Sequence, residues 1–531
     1  MDLLLTGGQV VDGTGQPPKI ADLLIRDGRI AEIGSIPETD RSDLDVRDVD
    51  GAVVCPGFLD IHTHSDLTLL SAPTAPSKVH QGVTTEVVGN CGLGVAPLPA
   101  GVDVAAMRLL VSYLDLDPAV SWDWSELSGY RAAVADARPS LNVATLTAHL
   151  PVRAGVIGLG DRAASQSELD RMGDLLADSF AQGSLGLSTG LVYAPLCFAA
   201  PAELLHLGHV VAAHDRVFAW HVRDYADELL DSVRQAIDVS DRTGCRVQIS
   251  HLVSVGRRNW GGVVRALELI DAARDRGCAI GVDVYPYLFG NAPLSQLLPA
   301  WVQDGGAENM ARRLHDPQVR ERIRTEWVHR PLGWDEITIS RVPDDAVESA
   351  LVGSTIEAIA HASGRDGDEI ALDLLAALGT SVLMVAGGRS EDDLGAVLSH
   401  PAAVLASDGL ALDPHGVTGA GVPHPRSYGC FPRFLARYVG SDPAEFSRAV
   451  RQCTSAPAQV VGLADRGVLR PGAPADVVVF RREALRDEAT FTQPQLYPRG
   501  IDLVLVNGTP VVEGSEHTGA RPGRVLEKTS R

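Results

Sequence analysis

The middle of the chain alternates short apolar strands with amphipathic helical stretches, and this alternation limits the fold more than any other feature. Candidate strands end near His64, Val88, His149, Leu187, His221, His251, Val284 and Asp408. Helical periodicity fills the gaps at 167–182, 202–214, 225–243 and 262–276. Eight strands with helices between them predict an α/β fold, a (β/α)8 TIM-like barrel rather than an open sheet. The 531 residues exceed what one core organises, so a second, smaller unit is expected. Both ends supply it. Leu3-Leu4-Leu5, Gln9-Val10-Val11 and the Asp27-Gly28 hairpin signal open the chain, and Asp476–Phe480 and Leu503–Gly508 close it. The expectation is a β-rich domain built from 1–56 and 455–531, with the barrel at 57–454. Residues 295–400 are too many for one barrel unit. Helical patterns at 356–361 and 369–378 make them an insertion over the barrel mouth.

Charge and cysteines narrow the function. A net charge of −22 excludes a nucleic-acid binder, which needs clustered cations. No apolar run approaches the ~20 residues of a membrane span. The seven cysteines contain no CxxC pair and suit a reducing compartment. With no basic-plus-apolar leader after Met1-Asp2, a cytoplasmic setting is expected. Cys55, Cys245 and Cys278 read as core.

Several strand ends carry metal-competent side chains. In Phe58-Leu59-Asp60-Ile61-His62-Thr63-His64 the two histidines are two residues apart, so in extended chain both imidazoles leave on one side. Cys91 follows strand two, His221 ends strand five, His251 follows strand six and Asp408 ends strand eight. Catalytic groups of such barrels sit at these ends. Any one of these residues alone reads more readily as a buried polar group or a loop cap than as a ligand. Together they predict a metal site.

Longer runs carry a resemblance. Pro56–Asp66, Gln81–Gly92, Gly186–Leu191, His221-Val222-Arg223-Asp224, Asp283–Tyr287, Ser407-Asp408-Gly409 and His424–Gly429 resemble the amidohydrolase superfamily, and within it the N-acyl-D-amino-acid deacylases. The tail runs Pro471–Asp476 and Thr518–Leu526 match as well. The resemblance implies a hydrolase of linear amide bonds. Cys91, His221 and His251 would hold one tight zinc, and His62 and His64 a weaker second one shared with Cys91 and Asp408. A thiolate and two imidazoles suit zinc and leave a position open. Asp408 is implied as the group that takes the water's proton and delivers it to the leaving nitrogen. The implied substrate is a small N-acyl amide held among Ser188, Tyr193, Val253, Tyr285, Asn291 and Arg426.

The chain departs from that family where the substrate carboxylate is gripped. Val253 stands where the family has a lysine, and Asn291 where it has a serine. A hydrogen bond to a charged group contributes ~1.5–3 kcal/mol, or roughly 10- to 150-fold in affinity. The departure points to a larger N-acyl substrate whose carboxylate is absent, masked or displaced, with an apolar group at that position. The other reading is that Arg257 or Arg258 restores the charge. Two rival functions share the fold. A cyclic-amide hydrolase of the hydantoinase or dihydropyrimidinase kind should carry a metal-bridging lysine, and none lies near Gly186-Leu187-Ser188. An inactive scaffold should have lost ligands, and all six are present. His149, Trp122, Trp124 and Glu86 read as packing or hydrogen-bonding residues.

Overall fold

A computed structural model describes residues 2–41, 43–343 and 346–529. Eight parallel strands form the barrel: β1 (Phe58–Asp60), β2 (Val83–Val88), β3 (Asn142–Thr145, continued by Thr147–Ala148), β4 (Gly186–Gly190), β5 (Val217–His221), β6 (Arg246–Ile249), β7 (Ile280–Val284) and β8 (Ala403–Leu405). Each pairs in parallel with the next. The ring closes where Thr63 bridges Gly409, with His64 N donating to Gly409 O at 2.9 Å and Asp408 N to His62 O at 2.9 Å. Closure therefore joins the histidine pair to the aspartate turn. Strand alternation sends Leu59, Val87, Ala144, Val217, Ala219 and Val404 into the barrel interior. Ala458, Val461 and Leu526 pack into the same cluster, so the helix Ser455–Val461 belongs with the barrel.

The helices follow local signals. Glu168 accepts from Ser165 N at 2.8 Å and starts Gln166–Ala181 at a capping box. The periodicity from 225 begins as helix only at Leu229, because the Asp224 carboxylate takes the amides of Ala226 and Glu228 and winds a turn first. That helix stops at Gly244 in the left-handed region.

A nine-stranded sheet takes strands from both ends of the chain. Val53–Pro56 joins them, pairing with Leu3–Val10 on one side and Val477–Phe480 on the other. Asp27 and Gly28, both with positive φ, turn Lys19–Arg26 into Arg29–Gly34.

The insertion between β7 and β8 has its own core around Leu298, Val302, Trp327, Ile339 and Leu375. Strand Gly290–Pro293 pairs with Leu383–Ala386, which pairs with Ile337–Arg341. The inserted unit is thus closed at 290 and 386, starting earlier and ending earlier than the expected 295–400. The helix Glu391–Leu398 after it packs its Leu394, Val397 and Leu398 into the large barrel core. Among the described residues no helix is long and apolar enough to cross a membrane.

Candidate metal centre and active site

The donors meet at the carboxyl ends of the barrel strands, and all are buried. The Cys91 sulfur lies 3.2 Å from His62 Nε2, 3.3 Å from His221 Nδ1 and 3.5 Å from His251 Nε2. Asp408 Oδ1 lies 3.0 Å from His64 Nε2 and 3.4 Å from His62 Nε2, and its Oδ2 is 4.0 Å from His251 Nε2. One donor atom each from His62, Cys91, His251 and Asp408 falls within 4.8 Å of all the others. His221 joins this group through the sulfur and His64 through Asp408. The expected division into two sets is therefore drawn around a shared centre, with His251 facing both sides.

Backbone strain marks the same residues. Cys91 (φ 54°), His251 (φ 34°) and Asp408 (φ 51°) all occupy the left-handed region that side chains avoid. Each is held there. Gly92 N donates to Ser188 Oγ at 2.9 Å, while Ser188 Oγ donates to Gly89 O and Asn90 Nδ2 to Val87 O. These bonds account for the Gly-Asn-Cys-Gly run, since a side chain at Gly89 (φ 85°) would collide with Leu146 O. His251 N donates to Asp283 Oδ1 at 2.7 Å, and the same carboxylate stands 3.2 Å from His62 Nδ1. Asp283 so orients the His62 imidazole, as partners of metal-binding histidines do, and pins the backbone of His251.

Behind Asp408 lies a fully buried charged cluster. Lys78 Nζ is 2.9 Å from Asp60 Oδ2 and 2.8 Å from Glu86 Oε1, and it donates to Ser407 Oγ at 2.7 Å. Asp60 Oδ1 accepts from Ser407 N at 2.9 Å, anchoring the turn that presents Asp408. Glu86 is thus an ion-pair partner of Lys78. Removing one member of such a cluster strands the others, at about 3–5 kcal/mol. Lys78→Met is accordingly expected to lower unfolding free energy by about that amount in urea titration. A loss below about 1 kcal/mol would show that the cluster does not hold this end of the barrel.

Electrostatics separate the donors. Burial pushes His221 down to about 3 and His64 down to about 4, and it takes His251 well below the usual histidine range. These imidazoles are neutral and offer lone pairs. Burial also opposes charge on His62, but Cys91, Asp283 and Asp408 outweigh it and raise His62 well above its usual value. Burial pushes the Cys91 thiol up to about 11, against the pull of His62. For Asp408 burial works toward protonation. Arg426, whose Nη1 is 2.8 Å from Oδ2, and the nearby imidazoles overcome it and keep the carboxyl well below the usual range. Neutral imidazoles crowded on one buried sulfur and one buried carboxylate form a donor set for a cation. Nitrogen, sulfur and oxygen in this mixture fit zinc. Among the described residues His64 Nδ1 and His221 Nε2 have no hydrogen-bond partner, as atoms of rings committed elsewhere.

The cluster opens onto a cavity of about 410 Å³ between the barrel mouth and the insertion. Tyr193, Val253, Tyr285 and Asn291 line it together with Cys91, His221, His251 and Asp408. Two residues expected at the substrate lie elsewhere. Ser188 is spent on the Cys91 loop, and Arg426 is sandwiched behind Asp408, its Nη2 donating to Tyr113 Oη at 3.0 Å. Arg257 and Arg258 do not reach the cavity. Arg258 is exposed and pairs with Asp227 at 2.7 Å, and the Arg257 guanidinium lies over the Trp260 ring. His149 bonds Thr189 and Glu203, and Trp122 stacks on Trp124 as packing. Cys278 is half-buried rather than core. Lys78 and Tyr113 carry no sequence signal of their own beyond a charge or hydroxyl in an apolar run, and Asp283 opens the matching run Asp283–Tyr287 without any sign of its role there. Arg389, which lines the cavity too, was not signalled either.

Comparison with known proteins agrees with this architecture. Residues 45–512 match the model of an amidohydrolase family. An N-acyl-D-glutamate deacylase of Alcaligenes xylosoxydans xylosoxydans is 34% identical, over 99% of this chain and 97% of its own. A D-aminoacylase of the same organism is 33% identical, over 100% and 98%. The crystal structure of an N-acyl-D-glutamate deacylase from Bordetella bronchiseptica superposes with a TM-score of 0.81 at 33% identity, covering 99% of both chains. That relative was crystallised with zinc and a phosphonate mimic of the tetrahedral intermediate.

Proposed function

Because this chain belongs to the amidohydrolase family, we propose that it is a zinc-dependent hydrolase of the linear amide bond in N-acyl-D-amino acids or a related, larger N-acyl substrate. One observation carries the reading: the Cys91 sulfur stands among three imidazoles at the floor of the cavity. Cys91, His221 and His251 would hold the tight zinc, and His62, His64 and Asp408 would serve a weaker second site around the same sulfur. Zinc bound there supplies Lewis acidity to a water and to an amide carbonyl oxygen. Asp408 is the proton carrier. Its carboxylate is ionised, aimed by Arg426 and the Ser407 turn, and able to accept a proton at Oδ1 or Oδ2 and return it to a leaving nitrogen. Pairing with Arg426 makes it a weak base, which suits a proton that is already acidic. Tyr193 and Val253 supply apolar walls that exclude water. The substrate is a small molecule, and the free cysteines of the chain support a cytoplasmic setting.

The test sets linear against cyclic amides. Purified protein, stripped by chelation and reloaded with zinc, is expected to release amine from N-acyl-D-amino acids and to leave a hydantoin closed. Ring opening at a comparable rate would move the reading to the cyclic-amide hydrolases. The absence of a lysine from Gly186–Gly190 argues against that outcome.

A further inference from the structure

One cation in the cavity has no charge partner. Asp408 is matched by Arg426, and Arg330, which also lines the wall, is matched by Asp368 at 3.2 Å. The Glu326 carboxylate accepts from Trp301 and Arg322. Arg389 differs. Among the described residues it takes part in no ion pair, and its buried Nε has no hydrogen-bond partner. Its bonds leave from Nη1, to Tyr285 Oη at 2.6 Å and Phe289 O at 3.1 Å. A guanidinium set in a partly apolar wall without an anion is costly unless a ligand supplies one.

The surroundings are arranged around this side chain. Arg389 stands at the return from the insertion to the barrel, one residue after Gly387-Gly388. A side chain at position 290 would collide with Arg389 Nη2, so Gly290 leaves the room it occupies. Tyr285 lies between two guanidinium groups, Arg389 at 5.0 Å from its ring centre and Arg426 at 4.6 Å. Since Arg389 donates to the Tyr285 oxygen, the hydroxyl's own proton is left for an acceptor in the cavity. Tyr285 also stands 6.4 Å, ring centre to ring centre, from His251 of the donor cluster. Val253 lines the same cavity and offers no charge.

We propose that Arg389, with the Tyr285 hydroxyl, receives the free carboxylate of an N-acyl amino acid whose amide lies over the metal-binding cluster. One cation beside one hydroxyl donor matches a single negative charge. The proposal rests on the reading of the chain as an N-acyl amino acid hydrolase. It departs from the sequence argument from Val253: the substrate keeps its carboxylate, and the cation that meets it comes from the return after the insertion rather than from β6. Specificity is thereby tied to the link between the insertion and the barrel.

The experiment compares N-acetyl-D-leucine with its carboxamide on zinc-loaded wild type, Arg389→Met and Arg389→Lys. Wild type should prefer the acid. Arg389→Met should raise KM for the acid roughly 10- to 150-fold, the equivalent of a lost charged hydrogen bond. It should lower kcat far less than it raises KM and cost the carboxamide much less than the acid, and Arg389→Lys should recover part of the loss. Equal loss on acid and carboxamide, or no loss on the acid, would overturn the assignment. Calorimetry on the zinc-free proteins separates the two readings. If no N-acyl amide is hydrolysed, the functional reading fails alone. Tighter binding of the acid than of the carboxamide, abolished in Arg389→Met, would still support Arg389, and equal binding would refute it.

Discussion

Cys91→Ala is expected to yield a folded protein that no longer retains a tightly bound metal. The sulfur lies within 3.5 Å of donor atoms of His62, His221 and His251, so its loss removes the atom that joins these three imidazoles. Zinc affinity should fall by more than the ~10–100-fold that follows loss of an outer partner of a metal ligand. Hydrolysis should fall with it. Alanine removes one small buried atom whose polar contacts run only to the neighbouring imidazoles His62, His221 and His251, so the unfolding midpoint of the metal-free protein should change little. Cobalt in place of zinc gives an independent reading, because the thiolate-to-metal absorption present in wild type should vanish in the variant. Retention of one tight zinc by Cys91→Ala would assign the site to His62, His251 and Asp408 instead.

Asp408→Asn is expected to lower kcat by about 10²–10⁴-fold, the range for a lost proton carrier. Asparagine keeps an oxygen for Arg426 but cannot take up a proton. The ion pair at 2.8 Å becomes a hydrogen bond from the Arg426 cation to a neutral amide oxygen, so some stability should also be lost. Zinc content decides between two explanations of an inactive variant. Metal retained at the wild-type level with kcat reduced means that Asp408 moves protons. Metal lost in proportion to activity means that Asp408 serves mainly as a ligand. The first outcome is expected, since Cys91, His221 and His251 remain together without it.

The fold was legible wherever pattern and element coincide. Short apolar runs became β1 to β8, and the Asp27-Gly28 hairpin and the periodic helices formed within a few residues of their predicted bounds. Helix starts shifted where a side chain competed for backbone amides, as Asp224 does before Leu229. The six donors were legible because the barrel places its chemistry at strand ends, and each sits in a short distinctive run. The supporting residues were not. Asp283 touches His62 across 221 positions of sequence, and Lys78 reaches Ser407 across 329. No periodicity encodes such contacts. Arg389 was hidden for a related reason: its role depends on how the insertion folds back, and the strand pairing of Gly290–Pro293 with Leu383–Ala386 brings it beside Tyr285. The loss of charge at Val253 does not by itself remove a carboxylate site, because a cation can enter one cavity from any of its walls, as Arg389 does.

The measurement that tests the account most directly is amine release from an N-acyl-D-amino acid as zinc is added back to stripped enzyme, with bound metal counted per chain. Activity should rise in step with zinc and reach most of its value at one ion per chain, carried by the thiolate site. A metal-free enzyme that hydrolyses the substrate as fast as the loaded one would contradict the account, as would activity that appears only after a second ion has bound.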